Sequence, residues 1–168
     1  MTDNSGQEDH IKEENQHGRY LTFHLGEEVF AVETKYVTEI VGMQLITSVP
    51  EAPAYIKGIV NLRGVIIPAI DGRLKFGIEP IDYDEKTSII VISIDAVSFG
   101  LIVDDVEDML TINDEEIAPP PSKITGFTNH YVKGFGKAEG KIQLLLDCKS
   151  LLKSAEMQVV EELFEEVV

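Results

Sequence analysis

The sequence predicts a mainly β protein made of two similar modules, and three observations support this. Two of them are motifs that each occur twice, in the same order. Tyr55-Ile56-Lys57-Gly58 leads through Gly64 to Asp71, and 76 positions later Tyr131-Val132-Lys133-Gly134 leads through Gly140 to Asp147. Phe30-Ala31-Val32 with Val37-x-Glu39 returns 69 positions later as Phe99-Gly100-Leu101 with Val106-x-Asp108. Third, the apolar runs are short and are separated by glycines, which is typical of strands. Tandem modules of this size indicate surfaces that hold partners together rather than a catalytic pocket.

Alternating polar and apolar residues predict a hairpin at the start of each module. In the first module the strands are residues 20–25 and 29–32, with a turn at Gly26, and in the second they are 87–94 and 98–103. The segments that follow, 36–41 and 106–112, fit either a helical turn or a strand.

Each module then continues into a second hairpin. In the first module, residues 56–60 and 65–70 are joined at Asn61-Leu62-Arg63-Gly64, where the glycine predicts a positive φ angle. Pro68 lies inside the second run, and because proline has no N–H group we expect an edge strand or a bulge there. The second module has its hairpin from Tyr131 to Asp147. Strands of this number and length suggest two barrels of SH3-like size.

The two ends of the chain differ from its middle. Residues 1–18 are polar and acidic and cannot bury enough apolar surface to offset their ordering entropy, so we predict a disordered tail. Residues 19–152 form the predicted domain, with one subdomain at about 19–86 and the other at about 87–152. From Ser154 onward apolar residues recur three and four positions apart among glutamates, which predicts an amphipathic helix over 153–168 that packs on the domain. Since either module alone is marginal in size, we expect them to share a core.

Composition limits the possible classes of function. The chain has 14 Lys and Arg against 30 Asp and Glu, a net charge of −16. Such a chain repels phosphate backbones and anionic lipid heads, so we expect no nucleic-acid binding and no insertion into a membrane. No apolar stretch approaches the roughly 20 residues of a bilayer span, and the start is not a secretory signal, so we expect a cytoplasmic protein. The single cysteine, Cys148, has no partner for an intrachain disulfide, which fits a reducing compartment.

No set of residues predicts catalysis. Asp104 and Asp105 could act as paired carboxylates, but adjacent acids at a strand end are more often a solvated turn. His24 and His130 lack the spacing of metal ligands. The glycines from Gly134 to Gly140 precede a strand, whereas a phosphate-binding loop must open a helix. We therefore predict no catalytic, cofactor-binding or metal-binding residue, and an enzyme built on the two aspartates is the weaker alternative.

Two charged residues stand out near the first Tyr-x-Lys-Gly hairpin. Arg63 lies at its tip, where the second module has Glu139, and Glu39 lies upstream. A surface ion pair between Arg63 and Glu39 would contribute only about 0.2 to 1 kcal/mol. Its larger use would be to orient an interface through the planar donors of arginine, and a solvated tip is the plainer alternative.

The residues around this hairpin carry a family resemblance. The run Asn61-Leu62-Arg63-Gly64-Val65-Ile66-Ile67-Pro68, between Tyr55-Ile56-Lys57-Gly58 and Asp71-x-Arg73, resembles the CheW family of bacterial chemotaxis coupling proteins. The resemblance extends from about Tyr20 to Leu152. It implies two tandem SH3-like five-stranded β-barrel subdomains packed around a shared hydrophobic core.

The resemblance also implies a function and partners. It implies a non-enzymatic adaptor, monomeric in isolation, that couples the cytoplasmic tips of methyl-accepting chemoreceptors to a CheA-type histidine kinase and is recruited to membrane-associated receptor arrays. The positions that match receptor-binding positions of the family are Val37, Glu39, Arg63, Ser88 and Val106. The positions assigned to the kinase are Gly42, Gly58, Asn61, Leu62 and Gly64. An adaptor of another chemosensory pathway, such as pilus motility, remains an alternative.

Overall fold

The computed structural model describes residues 17–120 and 131–152, which form eleven strands and two short α-helices. The strands are β1 (Arg19–Leu25), β2 (Glu28–Glu33), β3 (Val37–Gly42), β4 (Ile56–Leu62), β5 (Val65–Asp71), β6 (Ser88–Ile94), β7 (Val97–Val103), β8 (Asp105–Thr111), β9 (Ile117–Ala118), β10 (Val132–Ala138) and β11 (Lys141–Leu146). The helices are α1 (Gly72–Lys75) and α2 (Cys148–Leu152), and 3-10 turns lie at Thr34–Tyr36 and Asp114–Glu116. The predicted mainly β class is confirmed. Of the tail predicted over residues 1–18, residues 1–16 lie outside the described residues, as does the helix predicted over 153–168.

The strands form two sheets, and each sheet combines strands from both copies of the repeat. One sheet has the order β8-β1-β2-β11-β10-β9 and the other β3-β6-β7-β5-β4. Two parallel pairs join the halves: β11 aligns Leu145 with Ala31 of β2, and β5 aligns Ala69 with Gly100 of β7. These two pairs are equivalent under the sequence repeat. Each sheet therefore takes strands from both sides of the boundary expected near residue 86, while the subdomain bounds and the barrel form stay predictions.

Strand pairing decides the two ambiguous segments. After the turn at Thr34–Tyr36, β3 pairs antiparallel with β6, and β8 pairs antiparallel with β1. Both segments are therefore strands rather than helical turns. Short apolar patterns do not separate these possibilities, because the partner strand provides the hydrogen bonds that favour the extended form.

The expectation of an edge strand or a bulge at Pro68 is wrong. β5 lies between β7 and β4, and the irregularity in its pairing with β4 lies between Ile56 and Gly58. Ile59, which is opposite Pro68, uses its N–H and C=O groups with Thr47 instead, at 2.8 and 2.9 Å. The parallel pairing with β7 begins only at Ala69. Pro68 therefore occupies the position in β5 where the missing N–H group breaks no ladder hydrogen bond.

A central hydrophobic core lies between the two sheets and draws on both. Its largest fully buried side chains include Phe23 and Phe30 from one sheet and Ile90, Phe99 and Leu101 from the other. A smaller cluster covers the second face of each sheet. Along β6, Ile90 and Ile92 face the central core while Ile89 and Val91 face a smaller one, so this strand is apolar on both sides.

Helix α1 brings a buried charge to the junction of the repeated hairpins. Lys75 is buried, and its Nζ lies 4.3 Å from the ring centroid of Tyr55 and 4.9 Å from that of Tyr131. These two tyrosines are equivalent in the repeat, so a single cation contacts both halves of the molecule.

Candidate partner-binding surface

The tip of the β4–β5 hairpin is a tight turn that presents Arg63 to solvent. Arg63 and Gly64 have φ angles of 51° and 88°, and positive values at both central residues are what a type I′ turn requires. The backbone N–H of Gly64 also donates a hydrogen bond to Asn61 Oδ1 at 2.8 Å. The positive φ predicted for Gly64 is confirmed, and Arg63 shares it although no sequence signal marked that residue.

An ion pair connects this tip to another strand. Arg63 Nη2 contacts Glu39 Oε2, and Glu39 belongs to β3. Strands β3 and β4 are the two edges of the five-stranded sheet, so the sheet curls until its edges approach each other. Val41 and Leu62 from these same edges pack against one small hydrophobic cluster. The pairing considered from the sequence is therefore present in the structure.

Exposed apolar side chains accompany this ion pair in the sequence. Ile40 follows Glu39 on β3, and Val65 and Ile66 follow the Arg63-Gly64 turn on β5; all three are exposed. Charged groups next to exposed large apolar side chains are typical of protein-binding surfaces. Sequence reasoning missed these residues, because an apolar run such as 65–70 does not reveal which of its members face outward.

Gly42 and Ser88 lie beside each other in the β3–β6 pair, whereas Gly58 lies on β4. Ser88 aligns with Gly42 across the β3–β6 pair, and its hydroxyl donates to the carbonyl oxygen of Lys86 at 3.0 Å. Gly58 is buried, and a Cβ atom added there would lie 2.0 Å from the carbonyl oxygen of Thr47. Close approach of two backbone segments thus accounts for a glycine at position 58.

Val37 and Val106 occupy equivalent positions in the two halves. Val37 begins β3, at the edge of one sheet, and Val106 lies on β8, at the edge of the other. Both side chains are half-buried against the central core. Of the ten predicted residues, the structure brings together Glu39, Asn61, Leu62, Arg63 and Gly64 at one hairpin tip and places Gly42 beside Ser88. Val106 lies in the other sheet.

Of the two aspartates considered for catalysis, Asp104 has structural partners. Asp104 accepts hydrogen bonds from Nε and Nη2 of Arg73, at 2.7 and 2.6 Å, and from the backbone N–H of Gly26 at 2.8 Å. The hydrogen bonds to Asp104 raise the pKa of the Arg73 guanidinium. Asp105 aligns with His24 in the β1–β8 pair. Asp104 therefore anchors the start of β8, two residues before Val106.

Two absences hold for residues 17–120 and 131–152. In these ranges no three His, Cys, Asp or Glu side chains are grouped so that they could hold a metal ion. None of the helices there is long and apolar enough to cross a membrane.

Comparison with known proteins assigns a family. A family model described as a CheW-like domain matches residues 19–156. The chain belongs to the CheW family. It is 37% identical over 142 residues to Chemotaxis protein CheW of Klebsiella aerogenes, covering 84% of this chain and 86% of that protein. It is 33% identical over 138 residues to Chemotaxis protein CheW of Rhizobium meliloti, covering 82% and 89%.

A solved CheW structure has the same architecture. The scaffolding protein TtCheW from Thermoanaerobacter tengcongensis matches with a TM-score of 0.77 at 34% sequence identity, covering 83% of this chain and 94% of that one. The family expected from the hairpin motif is confirmed by the family model, the named relatives and the solved structure.

Proposed function

We propose that this CheW-family protein is a non-enzymatic chemotaxis adaptor that couples methyl-accepting chemoreceptors to a CheA-type histidine kinase. The observation that carries the proposal is the hairpin tip, where Arg63 pairs with Glu39 of β3; the exposed residues Ile40, Val65 and Ile66 are near these two in the sequence. Membership in a family whose relatives are named chemotaxis proteins, one of them a scaffold, supports the same role. In this role the protein works in the cytoplasm at receptor arrays, makes no covalent bond, and lets receptors control kinase autophosphorylation by position.

The tip has the chemistry of an orienting contact. One N–H group of Arg63 meets Glu39, and the largely exposed remainder of the guanidinium offers further donors to a partner. The apolar neighbours supply buried area, and standard interfaces bury roughly 800 Å² on each partner. Contacts of modest affinity suffice when many copies are held in one array, because each engagement raises the effective concentration for the next.

The two partners are assigned to two sets of residues. We assign the receptor to Val37, Glu39, Arg63, Ser88 and Val106, and the kinase to Gly42, Gly58, Asn61, Leu62 and Gly64. Val37 and Val106 both line the margin of the central core, which suits an apolar helix surface. The Asn61 to Gly64 turn presents a backbone of fixed shape, which suits recognition by a second folded domain.

Reconstitution tests the proposal. The full chain is combined with a receptor cytoplasmic fragment and a CheA-type kinase, and kinase autophosphorylation is measured with and without the chain. We expect receptor control only when the chain is present, and at least about tenfold weaker partner binding for Arg63→Glu, which places two carboxylates together. Lys57→Glu, a charge reversal at an exposed position of β4, serves as the matched control and should bind normally.

Each failure has a separate meaning. If the wild-type chain binds neither partner, the adaptor proposal is wrong. If Arg63→Glu binds both partners like the wild type, Arg63 is not in the site. If Lys57→Glu loses as much binding as Arg63→Glu, net charge rather than the hairpin tip determines binding.

A further inference from the structure

A buried lysine of the first half stands where the second half has a leucine. The offset of 76 aligns helix α1 with α2, and each helix follows an aspartate whose carboxylate accepts a backbone N–H group, Asp71 at 3.1 Å and Asp147 at 3.2 Å. In this alignment Lys75, which is 6% exposed, corresponds to Leu151, which is fully buried. Because burying an ammonium group costs more free energy than burying a leucine, packing alone does not account for Lys75.

The ammonium group of Lys75 faces two tyrosine rings that are equivalent in the repeat. Its Nζ lies 4.3 Å from the ring centroid of Tyr55 and 4.9 Å from that of Tyr131. The backbone carbonyl oxygen of each tyrosine accepts the N–H group of the aspartate at the end of its hairpin, Asp71 or Asp147, at 2.7 Å in both halves. The two tyrosines therefore stand at the bases of the two Tyr-x-Lys-Gly hairpins, and one cation attracts both bases.

Each of these hairpins also contacts an edge strand through an ion pair. Arg63, at the tip of the β4–β5 hairpin, pairs with Glu39 of β3. Lys141, at the start of β11, pairs with Glu107 of β8, and its Nζ lies 2.9 Å from Oε1 of that glutamate. Strands β3 and β8 are edges of the two sheets. A shift of either hairpin therefore bears on the edge strand that it contacts.

We propose that Lys75 is a positioning residue for receptor binding. It sets the relative position of the two hairpins and, through them, the spacing between Val37 on β3 and Val106 on β8. These two valines occupy equivalent positions in the two halves, and both pack against the margin of the central core. The inference rests on the proposed function, because the receptor is the partner that we assign to Val37 and Val106.

The two partners should differ in how much they depend on this lysine. The residues assigned to the receptor span both sheets, because Val106 lies on β8. The residues assigned to the kinase all lie on β3, on β4 or in the β4–β5 turn of one sheet: Gly42, Gly58, Asn61, Leu62 and Gly64. A change in the relative position of the two halves therefore alters the receptor surface and leaves the kinase surface largely as it is.

Partner binding by the full chain tests the inference. Lys75→Met removes the cation and keeps the length of the side chain. We expect binding of a receptor cytoplasmic fragment to weaken at least about fivefold and binding of a CheA-type kinase to change less than about twofold. Lys137→Met removes the same charge at an exposed position of β10, and this matched control should bind both partners like the wild type. Lys75→Leu introduces the side chain of the equivalent position and should behave like Lys75→Met, so it replaces that variant if the latter does not fold.

The outcomes separate this inference from the adaptor function. Equal losses for both partners would show that Lys75 supports only the stability of the fold, and unchanged receptor binding would show that it does not set the receptor surface. Either result overturns the inference. If the wild-type chain binds no receptor fragment, the proposed function is wrong instead, and the position of the two halves is then tested without a partner.

The distance between the two edge strands gives this partner-free measurement. Ile40 of β3 and Met109 of β8 are equivalent in the repeat and exposed, so spin labels at Ile40→Cys and Met109→Cys report the separation of the edges. The native thiol, Cys148, is buried and should stay unlabelled in the folded chain. Adding Lys75→Met to the labelled full chain should shift or broaden the distribution of label distances, whereas adding Lys137→Met should not. An unchanged distribution with Lys75→Met would overturn the inference.

Discussion

Two arginine–carboxylate pairs in this protein differ in burial, and burial should decide what each contributes to stability. The side chains of Arg73 and Asp104 are 14% and 20% exposed, whereas those of Arg63 and Glu39 are 77% and 29% exposed. Arg73→Gln leaves the largely buried carboxylate of Asp104 with the N–H of Gly26 and no cation. Hydrogen bonds to charged groups contribute about 1.5–3 kcal/mol, and breaking a fully buried pair costs about 3–5 kcal/mol. Because this pair keeps some contact with water, we expect a loss of about 2–3 kcal/mol. Arg63→Gln should cost about 0.2–1 kcal/mol.

Urea unfolding of the full-length variants measures this difference. The chain has no tryptophan, so far-UV circular dichroism is the suitable probe. The slope m should stay unchanged, so that a lower midpoint reports stability alone. A double-mutant cycle with Asp104→Asn isolates the coupling between the two side chains. Equal losses for Arg73→Gln and Arg63→Gln would refute the reasoning, since chemistry rather than burial would then set the cost.

Three further outcomes follow from the same structure. Gly58→Ala should lower the free energy of unfolding by more than about 2 kcal/mol, because the added Cβ meets a backbone carbonyl. Gly42→Ala has open space at that position and should cost less than about 0.5 kcal/mol. Urea unfolding of both variants measures the two losses, and equal losses would contradict this expectation. Burial raises the pKa of the Cys148 thiol to about 12, so at pH 8 it should react with a thiol reagent only after unfolding, and rapid labelling of the native chain would contradict this. A hydrogen bond from Lys141 lowers the pKa of Glu107 below its usual value near 4.5. The pair therefore stabilises the fold above that pH, and this stabilisation is lost as the pH falls through the lowered pKa. In Lys141→Met, the free energy of unfolding should depend less on pH in this acidic range.

Hairpins were predictable from the sequence, but the pairing of distant strands was not. Alternation and turn residues lie within a dozen positions, so the β1–β2 and β6–β7 hairpins agree with the predicted ones to within a few residues. The parallel contact of β2 with β11 joins residues more than a hundred positions apart, and no local pattern specifies such a partner. The same limit explains Pro68, whose position is tolerated because of what Ile59 and β7 do elsewhere in the sheet.

The candidate site was predictable in its polar residues and not in its apolar ones. Arg63 and Glu39 stood out because charges at a hairpin tip interrupt an apolar pattern, and the structure places them in contact. Ile40, Val65 and Ile66 did not stand out, because exposure depends on which face of a curled sheet a strand presents. Gly58 matched a family motif, yet its structural reason, the approach of the Thr47 carbonyl, becomes visible only once the fold brings the 43–55 loop beside β4.

The two equivalent hairpin tips of the repeat carry opposite charges. Equivalent exposed positions carry large apolar side chains in both halves, Ile40 with Met109 and Ile66 with Ile142. The tips above them do not match, since Arg63 in one half corresponds to Glu139 in the other. A solvated tip can change sign at little cost to the fold. The two tips therefore share one turn geometry, with positive φ at Arg63-Gly64 and at Glu139-Gly140, and they present opposite charges.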